Sequence, residues 1–194
     1  KEAAELTLPH LAQPLHLSIA AGITLSTMAS SLQSQQLIRA MPNTPALIGL
    51  GMTGLVAQSS VTEAQKQWVA EIVATLGQSI WVEQENLIDA VTAVSGSGPA
   101  YVFLFAQSMI EAGEKLGLSA DQAKQLTLAT LQGATELALR STSNLQELRQ
   151  QVTSKGGTTY AAITTMQAEK MPEAIHQGVD AAYLRAQELG QELA

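Results

Sequence analysis

Short apolar runs separated by turn-forming residues predict four strands within the first 83 residues. Two helices are expected between them, one capped by Thr24 and one opened by a capping box of Thr62 and Gln65. The two prolines of Met41-Pro42-Asn43-Thr44-Pro45 exclude regular structure at that point. The pattern therefore indicates a mixed α/β region. Its predicted strands are Leu15–Ala20, Leu37–Ala40, Met52–Ala57 and Gln78–Val82, and its predicted helices are Thr24–Leu32 and Thr62–Leu76.

The pattern changes after Glu83, and no strand is predicted from Glu85 to the end of the chain. Tyr101–Ala106 is apolar on every side, which predicts a helix buried all round. Capping pairs predict two further helix starts, and a last helix is expected after Pro172 with apolar residues at steps of three and four. The pairs are Ser119 with Gln122 and Ser143 with Gln146, and the apolar positions are Ile175, Val179, Ala182, Ala186, Leu189 and Leu193.

This change predicts an α/β domain over residues 1–83 and an all-α domain over residues 84–194. The all-α domain has few residues with which to cover every face of a helix that is apolar on all sides. An interleaved homodimer would supply the missing cover, because obligate interfaces resemble a domain core divided between two chains. A closed single-chain bundle is the alternative.

Composition excludes several classes of function. The 17 acidic and 10 basic residues give a net charge of −7, and with 4% aromatic residues neither an electrostatic nor a base-stacking nucleic-acid interface is predicted. The chain contains no cysteine, so disulfides and thiolate chemistry are excluded. His10, His16 and His176 lack ligand spacing, and no metal site is expected. No run of 18 apolar residues and no signal-peptide layout is present, so no membrane span is predicted.

Four segments that contain glycine or proline are candidates for chemistry. In Val152–Thr159 two glycines precede a predicted helix, and the free N–H groups of a helix start suit a carboxylate or phosphate. Ser95–Tyr101 and Met41–Pro45 could let a ligand approach the backbone closely, and Ala20-Ala21-Gly22 after the first strand has the same character. A glycine turn with a Thr N-cap, helix packing and a structural turn are the respective alternatives.

Taken together, these segments closely resemble bacterial pyrroline-5-carboxylate reductases. The resemblance rests on Ser-Ile-Ala-Ala-Gly-Ile-Thr (18–24), Arg-Ala-Met-Pro-Asn-Thr-Pro (39–45), Ser-Gly-Ser-Gly-Pro-Ala-Tyr (95–101) and Val-Thr-Ser-Lys-Gly-Gly-Thr-Thr (152–159). It implies a partial Rossmann domain followed by an all-α dimerisation domain. It also implies a cytoplasmic enzyme that reduces 1-pyrroline-5-carboxylate to L-proline with NADPH or NADH, as a homodimer that can assemble into decamers.

The same resemblance assigns roles to individual residues. The substrate site would be formed by Val152, Ser154, Gly156, Gly157, Thr158 and Thr159. The backbone N–H groups of Gly157, Thr158 and Thr159 and the Ser154 hydroxyl would hold the substrate carboxylate, and Val152 would line the pocket. The Thr159 hydroxyl would act catalytically near the ring nitrogen. The nicotinamide side of the cofactor would be flanked by Ala20, Ala21, Gly22, Met41, Pro42, Asn43, Thr44, Ser97 and Gly98.

One departure from the family pattern bears on function. The family begins with a strand, a Gly-rich phosphate loop and a helix, and the sequence contains none of these. The chain is therefore expected to be a fragment or truncated form with little activity on its own. The alternative is a non-catalytic helical dimerisation fragment. A dehydrogenase for a β-hydroxy acid is a weaker interpretation, because Lys115 and Lys124 lack a matching Gly-rich pocket.

Overall fold

A computed structural model describes residues 14–193, and His10 and the N-terminal segment lie outside this range. Four strands form one mixed sheet in the order β1-β2-β3-β4. They are β1 (His16–Ser18), β2 (Leu37–Met41), β3 (Gly51–Ala57) and β4 (Gly77–Trp81). β1 pairs with β2 in parallel, β2 with β3 antiparallel, and β3 with β4 in parallel.

Both faces of the sheet are covered, which explains the continuous apolar runs of β2 and β3. The helices of this part are α1 (Leu25–Leu32), α2 (Glu63–Ala74) and α3 (Leu87–Val91). Leu25 and Met28 of α1 pack with Ile88 of α3 on one face. Val69 and Val73 of α2 pack on the other. The predicted α/β organisation of this region is confirmed.

The remaining elements are helical, as predicted. They are α4 (Gly98–Lys115), α5 (Ala120–Arg140), α6 (Leu145–Gln151), α7 (Thr158–Ala168) and α8 (Met171–Glu192). The described residues divide into two compact units. One holds the residues up to Pro99 together with 178–193, and the other is Ala100–Gln177. The division at Glu83 proposed from the sequence stays a prediction.

For most of the predicted helix starts, the structure contains the predicted N-cap hydrogen bonds. Thr24 accepts from the backbone N–H of Thr27, and Thr62 and Ser119 form capping boxes with Gln65 and Gln122. The predicted start at Ser143 is wrong by one residue. Asn144 forms the capping box of α6 instead, because Glu147 stands three residues after it and can return the hydrogen bond.

Three other local predictions need correction. The proline-containing turn is not irregular throughout, because Thr44–Ile48 forms a 3₁₀ helix in which Pro45 occupies the first turn. The last helix begins at Met171, before Pro172, because a proline is tolerated in the first turn of a helix. β1 is shorter than the predicted run Leu15–Ala20.

The helix that contains Tyr101–Ala106 is not buried all round within one protomer. Val102 is 53% exposed, and Phe103 and Leu104 are each 67% exposed. These three side chains are therefore uncovered in the single chain, whereas Ala106 is buried. By length and hydropathy, the helical stretch Leu87–Lys115 is also sufficient to cross a membrane, with 29 residues and a mean hydropathy of 1.3. A helix at a protein interface has the same properties.

Candidate functional site

Two of the predicted cofactor segments lie at the same edge of the sheet. Because β1 and β2 are parallel, Ala20–Gly22 and Met41–Asn43 both follow carboxyl ends of neighbouring strands, where α/β sheets bind ligands. Ala20 and Ala21 are exposed, whereas Gly22 is buried with φ +74°. An added Cβ at Gly22 would lie 2.9 Å from Leu193 Cδ1 and 3.1 Å from Leu189 O. Only glycine fits this turn without strain.

The Asn43 side chain joins two segments of this edge. Its Nδ2 donates to Ser95 O and to Ser95 Oγ, each at 3.2 Å. Its Oδ1 accepts from the backbone N–H of Met52 at 2.9 Å. Both amide protons are therefore directed at the protein. We call these three hydrogen bonds of the Asn43 side chain the Asn43 bracket. Contact between Asn43 and a cofactor stays a prediction, and the backbone of Asn43 would have to make it.

The third predicted cofactor segment lies beside Met41. An added Cβ at Gly96 would lie 3.7 Å from Met41 Cε, so the methionine side chain packs close to the turn that precedes α4. The backbone N–H of Ser97 donates to Thr92 O at 2.8 Å, which ends the π-helical turn Thr92–Gly96. The structure thus places Gly96 next to Met41 and Ser95 next to Asn43, whereas a cofactor role of Ser97 and Gly98 stays a prediction.

A buried ionic cluster around Arg39 of β2 was not predicted from the sequence. Arg39 on β2 is only 4% exposed, and its Nη1 donates to Glu85 Oε1 at 3.1 Å. Arg39 Nη2 lies 3.7 Å from Asp89 Oδ1 on α3. Glu85 Oε1 also accepts from the backbone N–H of Leu25 at 2.7 Å, which satisfies one free donor at the start of α1. An arginine inside an apolar strand with acidic residues after the sheet is the only sequence signal for this cluster.

Burial governs the charge state of this cluster. Loss of solvent raises the pKa of the Asp89 carboxyl above its ordinary value, since burial disfavours the charged form. The Arg39 guanidinium opposes this rise, and the neighbouring Glu85 carboxylate adds to it. The cluster connects β2 to α3 and to the start of α1.

The predicted carboxylate loop lies in the helical unit, between α6 and α7. Gly156 has φ +75°, and the backbone N–H of Gly157 donates to Ser154 O at 3.0 Å. An added Cβ at Gly157 would come within 2.5 Å of Ser154 Oγ, so the hydroxyl lies against the glycine backbone. The two glycines are therefore required by a tight turn and by a close approach.

Three backbone donors remain at the start of α7. Gly157 is the N-cap of α7 and provides no side-chain cap. Among the described residues, the N–H groups of Thr158, Thr159 and Tyr160 have no hydrogen-bond acceptor, whereas the N–H of Gly157 is used inside the loop. These donors and the positive end of the helix dipole suit an anion. Val152, which precedes the loop, is 64% exposed.

These features define a class of protein in which a small mixed α/β sheet is followed by a long helical region. A family model described as pyrroline-5-carboxylate reductase dimerisation matches residues 85–189. The chain belongs to the pyrroline-5-carboxylate reductase family.

Individual relatives agree with this assignment. The chain is 46% identical to the pyrroline-5-carboxylate reductase of Pseudomonas aeruginosa over 93% of its own length and 67% of the relative's. The crystal structure of Plasmodium falciparum pyrroline carboxylate reductase with NADP bound matches with a TM-score of 0.89 at 31% identity, covering 97% of this chain and 76% of that chain. The reductase structure from Coxiella burnetii matches with the same TM-score of 0.89 at 38% identity, covering 97% and 69% of the two chains.

The chain spans about two thirds of the length of the curated relatives that it matches.

Proposed function

We propose that this chain provides the substrate site and part of the nicotinamide site of a reductase that converts 1-pyrroline-5-carboxylate to L-proline. The observation that carries the proposal is the loop Ser154–Thr159, in which two glycines expose the unpaired N–H groups of Thr158 and Thr159 at a helix start. A carboxylate is the anionic group that this substrate and its product share. The family membership supports the same assignment.

The proposed cofactor is NADPH or NADH, which supplies a hydride. The small residues Ala20 and Ala21 and the backbone of Met41–Thr44 fit the flat nicotinamide end, since they leave the sheet edge open. Ser97 and Gly98 would complete this side. NADP in the Plasmodium relative supports a nicotinamide cofactor without deciding between the two forms.

The chemistry requires little from the protein besides positioning. NADPH or NADH would deliver a hydride to the carbon of the protonated C=N bond and leave as NADP⁺ or NAD⁺. The π electrons of that bond would pass to the ring nitrogen, which keeps its proton and takes up one more from water to give L-proline. Holding the two reacting carbons about 3–3.5 Å apart accounts for much of the acceleration in such reactions. We assign the Thr159 hydroxyl to the ring nitrogen, and Val152, Ser154 and Gly156 to the walls of the carboxylate site.

We further propose a functional division into a cofactor part over residues 1–83 and a dimerisation and substrate part over residues 84–194. A homodimer in the cytoplasm, without membrane or nucleic-acid partner, is the form we expect, and we propose a decamer as its higher assembly. The exposed apolar residues of α4 support the dimer.

Binding of L-proline tests the carboxylate loop without requiring turnover. A ligand that binds only the folded state at 100 times its Kd stabilises that state by about 2.7 kcal/mol, so saturating L-proline should raise the melting temperature. Thr159→Ala should reduce this rise, whereas Thr159→Ser keeps the hydroxyl and should retain it. Absence of any rise in a confirmed dimer would contradict the loop assignment.

Turnover separates the enzyme from a non-catalytic dimerisation fragment. The chain alone should oxidise little or no NADPH in the presence of 1-pyrroline-5-carboxylate. The same chain fused to the first third of a relative should become active if it carries a functional substrate site. Proline binding with an inactive fusion would favour the non-catalytic fragment.

A further inference from the structure

The end of the last helix lies against the turn that follows β1. A Cβ added to Gly22 would lie 2.9 Å from Leu193 Cδ1 and 3.1 Å from Leu189 O, and Gly22 itself is buried. From the helix side, a Cβ added to Gly190 would lie 3.9 Å from Gly22 O. We call Leu189, Gly190 and Leu193 the α8 end. Its contact with Gly22 joins residues from near the two ends of the described range.

The α8 end continues the buried face of its helix. Residues 178–193 belong to the same compact unit as the sheet. Within this stretch Ala186 is 8% exposed, and Leu189 and Gly190 are half-buried. Leu184, on the opposite side of the helix, is 57% exposed. Steps of three and four residues place Ala186 and the α8 end on one face, so the contact with Gly22 belongs to a packed surface.

The turn that the α8 end contacts has few hydrogen bonds of its own. The backbone N–H of Ala20 donates to Ser18 Oγ at 3.2 Å. Among the residues that the structure describes, the N–H groups of Ala21, Gly22 and Ile23 have no acceptor. Segments with few hydrogen bonds open at a low free-energy cost, so the position of this turn depends on what packs against it.

The contact also determines which side of the turn is closed. The side of Gly22 on which a Cβ would stand is filled by Leu189 and Leu193, whereas Ala20 and Ala21 are exposed. The glycine is therefore needed for the close approach of the helix. The two alanines are the part of the turn that a flat ring can approach.

We propose that the α8 end holds the turn Ala20–Gly22 in the conformation that receives the nicotinamide, and that Leu193 is a positioning residue for NADPH or NADH. This inference rests on the proposed cofactor site and extends it to a helix outside the motifs of that site. Leu193 is the side chain nearest to the Cβ position of Gly22. Without it, cofactor binding would include the cost of ordering the turn, which weakens affinity. The loop 154–159 belongs to the other compact unit, so the effect should fall on the cofactor.

Backbone order parameters from NMR relaxation test the positioning in the chain itself. In the wild type the N–H groups of residues 21–23 should have the value of a rigid backbone, about 0.85, and in Leu193→Ala they should fall below about 0.6. Leu184→Ala is the matched control, because it removes the same side chain from the exposed side of α8. Leu193→Met keeps a large apolar side chain and should keep the order. Equal values in the wild type and Leu193→Ala, whether high or low, overturn the proposal.

Cofactor affinity is the second measurement, made in the fusion with the first third of a relative. In that fusion, Leu193→Ala should raise KM for NADPH about tenfold, because ordering even one backbone residue carries a cost of that size. KM for 1-pyrroline-5-carboxylate should stay the same, and Leu184→Ala should change neither constant. An unchanged KM for NADPH overturns the proposal, and so does an equal rise of both constants, which indicates a general loss of structure. An inactive wild-type fusion contradicts the proposed function instead, and the order parameters still decide whether the α8 end holds the turn.

Discussion

Asn43 shows how one side chain connects the candidate site to the fold. Its two amide protons bond to Ser95 and its oxygen accepts from Met52, so one residue joins the end of β2, the start of β3 and the turn before α4. An amide is suited to this position because it both donates and accepts. The side chain that the motif suggested as a ligand contact is therefore committed to holding the site together.

Replacing Asn43 by Asp should destabilise the protein by about 1–3 kcal/mol, because the carboxylate cannot donate to Ser95 and leaves its carbonyl unpaired. Urea unfolding measures this loss. Asn144→Asp is the matched control, since Asn144 only accepts, from the N–H of Glu147, and aspartate is an equally good N-cap. If the two variants were equally stable, the stabilising role of the hydrogen bonds that the Asn43 side chain donates would be contradicted.

At the scale of elements, the cluster of Arg39, Glu85 and Asp89 decides how α1 and α3 attach to the sheet. Arg39 is nearly fully buried and contacts both carboxylates, and Glu85 satisfies the first N–H of α1. Breaking a buried ion pair on one side leaves an uncompensated charge, which is strongly destabilising. The cluster therefore holds α1 and α3 against β2.

The raised pKa of Asp89 gives this cluster a pH dependence of definite sign. A folded pKa above the ordinary value of about 3.9 means that the native state binds the proton more tightly than the unfolded chain. This contribution is complete below about pH 3.9 and is lost as the pH rises through the folded value. The stability of the wild type relative to Asp89→Asn should therefore decrease from acid to neutral pH. Urea unfolding across that range measures it, and an increase would show that attraction by Arg39 outweighs burial.

At the scale of the whole molecule, the helical unit has almost no core of its own. In residues 100–177, the fully buried side chains are Ala106, Ala123 and Thr127. The large side chains of α4 and α5 are mostly exposed, including Phe103, Leu104 and Leu126. Surface of this kind becomes stable when it is buried against another chain, as in an obligate dimer.

Phe103 offers a direct test of this dimer. Phe103→Asp places a charge on a side chain that is 67% exposed in the protomer and should be buried in the dimer. We expect its dimer Kd to rise at least tenfold, because burying an unpaired charge is costly. Phe103→Leu preserves the apolar character and should remain dimeric. Light scattering distinguishes the two, and a dimeric Phe103→Asp of unchanged Kd would contradict an interface at this helix.

Local chemistry explains which elements were predictable. The capping boxes at Thr62 and Ser119 depend on residues three positions apart, and the buried runs of β2 and β3 depend on neighbouring side chains. The start of α6 was misplaced because Ser143 and Asn144 are both good caps, and only the partner at Glu147 decides between them. The glycines of the carboxylate loop were recognisable for the same local reason.

The sequence alone determined the α/β region, the helical region after it, the glycine turn within 152–159 and the resemblance to the reductase family, because each depends on residues close together in the chain. Only the tertiary structure decided the bracket at Asn43, the ionic cluster at Arg39 and the exposure of the large apolar side chains of α4. The contacts of Arg39 with Glu85 and of Asn43 with Ser95 join residues that are 46 and 52 positions apart. The exposure of a side chain depends on which other elements pack over it. Burial and long-range pairing are set by packing of the whole chain, which no local pattern encodes.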